Sequence, residues 1–187
     1  MSKVYVFLAD GTEEVEALTV VDLLRRAKVD VVTVSVMGRK QIVSSHKIGI
    51  EADEVFGESD YMDGDMIVLP GGLPGTTHLK EHQELRKVLF SYQEAGKYLA
   101  AICAAPTVFG SNGMLEGKQA VCYPGFEEEL RGATVLAQGV VTDGQFITSK
   151  GLGTAIDFSL ELVQVLVSAE CASQIAKAIQ YFCQKKG

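Results

Sequence analysis

The chain has 187 residues, enough for one α/β domain with a full core and crowded for two. Hydrophobic residues make up 47% and charged residues 22%, a balance that excludes disorder. A net charge of −7 without a clustered Lys/Arg stripe leaves no electrostatic footprint for nucleic acid or an anionic membrane.

Lys3 to Leu8 reads as a short buried strand. The spacing of Val15, Leu18, Val21 and Leu24 predicts a helix over 13–27. The β-branched run Val29 to Val36 is a second strand, Gln41 to Ile50 a small hairpin or excursion, and Asp65 to Leu69 a third strand ending in Pro70-Gly71-Gly72. A helix from about Gln83 to Ala95 precedes the apolar strand Tyr98 to Ile102, which runs into a helix opened by Ala104-Ala105-Pro106-Thr107. Short strands follow around Gln119 to Cys122 and Thr134 to Thr142, then at Gln145 to Ser149. Two helices end the chain, one opening at Thr154 with Asp157 three residues on in a capping pattern, the other from about Glu170 to Cys183. Strands alternating with helices predict a doubly wound α/β fold, with a mostly parallel sheet covered by helices on both faces. Such sheets bind ligands at the carboxyl ends of their strands, where the loops at Ala9–Gly11, Pro70–Gly75 and Cys103 converge. No linker or internal repeat is seen, so one domain over 1–187 is expected.

Cys103 is the most informative residue, because it stands between a strand and a helix with Ala101, Ala104 and Ala105 around it. Such a turn holds a thiol out of the sheet as a nucleophile elbow, and a helix N-terminus favours the thiolate. The competing reading is a small buried hydrophobe. Glu16 lies in line with Val20, Leu23 and Ala27, a stripe that should face the sheet, so its carboxyl would be partly buried with a raised pKa. Alternatively, Glu13, Glu14 and Glu16 are solvated acids favouring the helix dipole. The N–H groups of Pro70–Gly75 offer one half of an oxyanion hole and that of Ala104 the other, against a reading of the loop as a plain turn. Gly151-Leu152-Gly153 reads as a tight connection into the next helix. The four cysteines, at 103, 122, 171 and 183, have no Cys-x-x-Cys spacing, which argues against structural zinc and a disulfide framework. Three histidines, His46, His78 and His82, all precede Cys103, excluding a papain-like order. His78 and His82 share one helix face as solvated side chains, with no third ligand for a metal. The start Met1-Ser2-Lys3 lacks the apolar core of a signal peptide, so a reducing cytoplasm is expected.

Four segments, Leu8 to Ala17 (LADGTEEVEA), Val68 to Gly72 (VLPGG), Ala100 to Pro106 (AAICAAP) and Thr148 to Thr154 (TSKGLGT), together resemble the ThiJ/PfpI superfamily, in the branch of the parkinsonism-associated protein DJ-one. The resemblance spans nearly the whole chain and implies a single three-layer, flavodoxin-like domain. It implies that Cys103 is the reactive cysteine, Glu16 its partner acid, and Gly72 and Ala104 the backbone donors. Tyr123 stands where the branch has a histidine. Arg26 matches an arginine that reaches an anion pocket near a dimer interface, and His46 replaces a second one. Tyr123 and Arg26 are therefore candidate substrate contacts. The protease branch has a histidine after its cysteine where this chain has Ala104, which disfavours peptidase activity. The implied function is cofactor-independent and metal-free conversion of 2-oxoaldehydes such as methylglyoxal, or their glycated adducts, to 2-hydroxy acids. The rival is a redox sensor or chaperone-like protein acting through an exposed, low-pKa Cys103, with Cys122 read first as a structural cysteine and alternatively as a second thiol able to trap its sulfenate. A homodimer through Val15 to Arg26 and Gln41 to Ile50 is expected.

Overall fold

The computed structural model describes residues 2–181. Its main sheet has seven strands in the order β10-β11-β7-β6-β1-β2-β5: Val140–Asp143, Phe146–Ser149, Tyr98–Ile102, Met66–Leu69, Lys3–Leu8, Asp30–Ser35 and Glu54–Val55. All neighbours run parallel except β10 and β11. The small strands β3 (Gln41–Val43) and β4 (Gly49–Glu51) form the expected hairpin, and β8 (Gln119–Ala120) pairs with β9 (Thr134–Val135).

The strands read as continuous apolar runs because both faces are covered. In β1, Val4, Val6 and Leu8 enter one core while Tyr5 and Phe7 enter the other. The first core is closed by α1 (Glu14–Arg26), α5 (Ala155–Leu166) and α6 (Ala169–Ala178), which contribute Val20, Leu23, Phe158, Leu162 and Ile175. The second is closed by α2 (Gly75–Glu81), α3 (Gln83–Glu94) and α4 (Pro106–Ser111), through Leu79, Leu85, Leu89, Val108 and Phe109. This is the expected three-layer, mostly parallel α/β architecture.

Several local expectations are corrected. On α1, the stripe holding Glu16, Val20 and Leu23 is buried, whereas Val15 and Leu18 are each 44% exposed. His78 and His82 do not share a helix, because α2 ends at Glu81 and His82 caps α3, its Nδ1 accepting from Leu85 N–H at 3.0 Å. Nor is His82 solvated: it packs on Phe56, and burial lowers its pKa. Thr154 makes no side-chain cap; its hydroxyl turns back to the Gly151 carbonyl at 2.8 Å and Ser149 Oγ at 2.7 Å. Cys122 lies beyond the short β8, and 134–142 splits into β9 and β10. The expected last helix ends at Ala178, and Cys183 lies outside the described residues.

Candidate active site

The C-terminal ends of β1, β6, β7 and β11 deliver four loops to one place. The β1 loop opens α1 and is tied to the β6 loop by Glu13 N–H donating to the Gly71 carbonyl at 2.9 Å. The β7 and β11 ends meet where Cys103 N–H donates to the Ser149 carbonyl at 2.9 Å. Cys103 carries φ +67°, a left-handed conformation rare for a side chain with a Cβ, and α4 starts three residues later. The chain thus turns sharply enough to lift the sulfur off the sheet, as expected of an elbow. Tyr123 N–H donates to the Cys103 carbonyl at 2.7 Å, which places Tyr123 beside the elbow.

Glu16 lies under the sulfur and is 1% exposed. The reading of Glu13, Glu14 and Glu16 as solvated acids is overturned: all three are buried. Glu13 caps α1 by accepting from Glu16 N–H at 2.7 Å, which leaves the Glu16 side chain free to reach the elbow. Glu16 Oε2 accepts from Gly71 N–H at 3.0 Å, the Leu152 N–H also points to this carboxyl, and the Cys103 thiol shares a hydrogen bond with it. Burial, aided by the Glu13 charge, pushes the Glu16 pKa up to about 7 against these donors. Gly71 makes the packing feasible, since a Cβ there would sit 2.6 Å from both Cys103 Cβ and Glu16 Oε2.

The expected helix-favoured thiolate is corrected. Burial first, then the Glu16 charge and its hydrogen bond, push the Cys103 pKa up to about 12, although the N–H groups of Ala104 and Gly72 pull it down. The physical reason is local: α4 is six residues long and begins at Pro106, so little dipole reaches a half-buried sulfur. Cys103 and Glu16 therefore form a coupled pair in which the carboxyl ionises before the thiol, with the Gly72 and Ala104 N–H groups facing the sulfur.

Arg26 is not brought to this site. It lies ten residues beyond Glu16, about 15 Å along α1, half exposed and paired with Asp22 at 2.7 Å. His46 lies nearer, its Nδ1 2.9 Å from Glu14 Oε1 and 3.9 Å from Glu13 Oε1. These three residues bring ligand atoms within 4.8 Å of one another and are the group able to hold a cation among the described residues. A hollow of about 250 Å³ opens over the sulfur, lined by Ser45, Gly72, Leu73, Ala104, Tyr123 and Phe126. Sequence reasoning placed the Pro70–Gly75 loop at the site but missed Ser45 and Phe126 and the donation of Gly71 and Leu152 N–H groups to Glu16. The donors among them act through backbone, which leaves no side-chain signature.

A mostly parallel sheet that carries an acid-paired cysteine on an elbow defines the class of this protein. The DJ-1/PfpI family model matches residues 2–165, and the chain belongs to that family. Protein DJ-1 homolog B of Arabidopsis thaliana is 42% identical over 178 residues, covering 93% of this chain and 40% of that protein. The chain thus spans less than half the length of that relative, and 45% of Arabidopsis DJ-1 homolog A. The structure of oxidized Toxoplasma gondii DJ-1 superposes with a TM-score of 0.92 at 34% identity, covering 98% of this chain and 100% of the other. The glutathione-independent glyoxalase DJR-1.2 of Caenorhabditis elegans is 27% identical over 172 residues, 91% of each chain.

Proposed function

We propose that the protein converts 2-oxoaldehydes, or their adducts, to 2-hydroxy acids without a cofactor, in defence against carbonyl stress. The observation that carries this reading is the buried Glu16 carboxyl, with a pKa about 7, hydrogen-bonded to a thiol that faces two backbone donors. The glyoxalase relative supports it.

The thiol is a poor nucleophile until its proton leaves. As Cys103 Sγ bonds the aldehyde carbon, its proton passes to the Glu16 carboxylate, and the new oxyanion faces the Gly72 and Ala104 N–H groups. Return of that proton gives the hemithioacetal. Glu16 then takes the hydrogen from the former aldehyde carbon as a proton and delivers it to the neighbouring carbonyl carbon, while the hydroxyl proton moves between the two oxygens. The result is a 2-hydroxy thioester: the aldehyde carbon is oxidised, the ketone carbon reduced, and no outside oxidant enters. Water breaks the C–S bond, releasing the acid and the thiol. Tyr123 borders the reacting carbons as a substrate contact; Arg26 has no part within one protomer.

Reduced protein mixed with methylglyoxal is expected to form lactate, and both Cys103→Ser and Glu16→Gln are expected to abolish it. An active Cys103→Ser protein would refute the reading.

A second reading, sensing through oxidation of Cys103, is favoured by the same cage, in which protonated Glu16 would donate to a sulfinate. The burial and raised pKa of Cys103 weigh against it as the main role. Selective oxidation of Cys103 by mild peroxide supports sensing; uniform oxidation of the cysteines counts against it. The proposal further includes a single domain in a reducing cytoplasm and a homodimer, for which the exposed Val15, Leu18, Val43 and Ile48 provide an apolar surface. Light scattering at the monomer mass would remove the dimer. Among the described residues, no helix is long and apolar enough to cross a membrane.

A further inference from the structure

The hollow above Cys103 carries information about the substrate that the reaction itself does not require. Its polar groups are concentrated at the reacting end, where the sulfur meets the Gly72 and Ala104 N–H groups. Away from that end the walls are Leu73, Tyr123 and Phe126, with the Ser45 and Tyr123 hydroxyls as the side-chain oxygens among the lining. Ser45 Oγ is already engaged, 3.2 Å from His46 Nδ1 and 3.4 Å from Glu14 Oε2. Leu73 and Tyr123 are 54% and 50% exposed, large apolar side chains left open to water beside a site otherwise cut into the core. Tyr123 and Phe126 meet edge to face with ring centroids 6.4 Å apart, which fixes an aromatic corner at the mouth.

Charge points the same way. No Lys, Arg or His lines this hollow among the described residues. The ionisable groups around it are mostly acidic: Glu16 below the sulfur, Glu13 and Glu14 at the start of α1, and Glu127 next to Phe126 in the chain, with His46 beside Ser45 and Glu14 as the exception. An anionic substrate arm would therefore meet acidic groups, and the one imidazole near the hollow, His46, is already held by Glu14 at 2.9 Å. Lys150 rims a separate hollow of about 310 Å³ on the other side of Tyr123.

The placement of a bound aldehyde follows. Its carbonyl carbon must reach Sγ with its oxygen toward the backbone donors, and the hydrogen to be moved must face the buried Glu16. The remaining substituent on the ketone carbon then points to the open side, onto Tyr123, Phe126 and Leu73. Glyoxal has no such substituent, and methylglyoxal has one methyl group that leaves most of this surface wet. A planar ring would stack on the corner and displace water from Leu73.

We infer that this site takes 2-oxoaldehydes bearing an uncharged aryl or bulky apolar group on the ketone carbon in preference to glyoxal and methylglyoxal, with Tyr123 the main specificity-determining residue. The inference rests on the proposed 2-oxoaldehyde reaction and adds its substrate class.

The test compares kcat/KM for phenylglyoxal, methylglyoxal and the anionic 4-carboxyphenylglyoxal with wild-type protein, Tyr123→Ala and Tyr123→Phe, following the 2-hydroxy acid formed. The intrinsic reactivity of each aldehyde cancels when variant is divided by wild type. Tyr123→Ala is expected to lower the phenylglyoxal to methylglyoxal ratio about tenfold, the scale of one lost aromatic contact. Tyr123→Phe, which keeps the ring, is expected to hold that ratio within about twofold, and 4-carboxyphenylglyoxal is expected to be a poorer substrate than phenylglyoxal. A ratio unmoved by Tyr123→Ala, or 4-carboxyphenylglyoxal turned over faster than phenylglyoxal, would overturn the inference while leaving the reaction intact. Failure of all three aldehydes with Cys103 shown reduced would overturn the reaction and this inference together. Because Tyr123 is half exposed, the thermal midpoint of Tyr123→Ala is expected to stay near that of wild type.

Discussion

Cys103, half-buried, and Cys122, buried, are two thiols near the same loops, and both are held protonated, at about 12 and about 11. Only their surroundings separate them. Around Cys122 burial acts first, joined by the Glu127 and Glu129 charges, and every one of these influences opposes ionisation. Around Cys103 the burial is met by two backbone donors, a left-handed turn that lifts the sulfur, and an acid 1% exposed that can take its proton. Reactivity in this protein is therefore a property of the proton's destination. A buried thiol with an acceptor beside it can be activated when an electrophile arrives; one facing only repulsion stays a packing group.

The largest expected contrast is between the two serine variants. Cys103→Ser should lose at least about a thousandfold in kcat/KM for 2-oxoaldehydes, because the alcohol is a far weaker nucleophile in the same cage. Cys122→Ser should remain within about threefold of wild type. Equal losses would erase the distinction drawn between the two thiols.

Glu16→Gln separates activity from stability. Loss of the proton acceptor should lower turnover by about a hundredfold or more. Stability should move the other way, and the sign follows from the raised pKa. The folded state holds the Glu16 proton up to about 7, whereas the unfolded chain releases it near 4.3, so stability is lost as pH rises through that window. Glutamine carries no such loss. Denaturant unfolding should find the variant equal to wild type near pH 4 and up to about 4 kcal/mol more stable above pH 8. A variant less stable at both pH values would mean that the carboxylate is a net structural asset.

Gly71→Ala probes the cage from its other side. A Cβ 2.6 Å from Cys103 Cβ and Glu16 Oε2 must push one of them away, at a cost of about 1–3 kcal/mol in stability. Turnover should fall more than iodoacetamide labelling of Cys103, since labelling needs the sulfur alone and turnover needs its register with Glu16. Parallel losses in both would place the effect on the elbow as a whole.

The order of elements was legible because alternating apolar runs and helical stripes report burial directly. Cys103 and Glu16 were legible for a related reason: a thiol at a strand end and an acid in an apolar stripe are each out of place locally. What was hidden has physical causes too. The segment Gly75–Glu81 forms α2 with little apolar periodicity of its own, burying Leu79 as its one large hydrophobe. His82 reads as a helix residue until the break before it is seen. The Gly71 and Leu152 donors act through backbone N–H groups, which every residue but proline possesses. The hollow gathers Ser45, Leu73 and Phe126 from three loops, so no local pattern joins them. The thiol pKa ran against expectation because burial depends on the whole fold, and the short α4 could not offset it.

The most direct test of the Cys103–Glu16 pair is the pH dependence of kcat/KM for a 2-oxoaldehyde, which reports ionisations of the free enzyme. With Glu16 as the base, the rate should rise about tenfold per pH unit below 7 and level off above it, following the carboxyl at about 7. A rate that climbs without a break toward pH 10 and beyond would follow the thiol's own ionisation, at about 12, and would contradict the assignment of Glu16 as the proton acceptor.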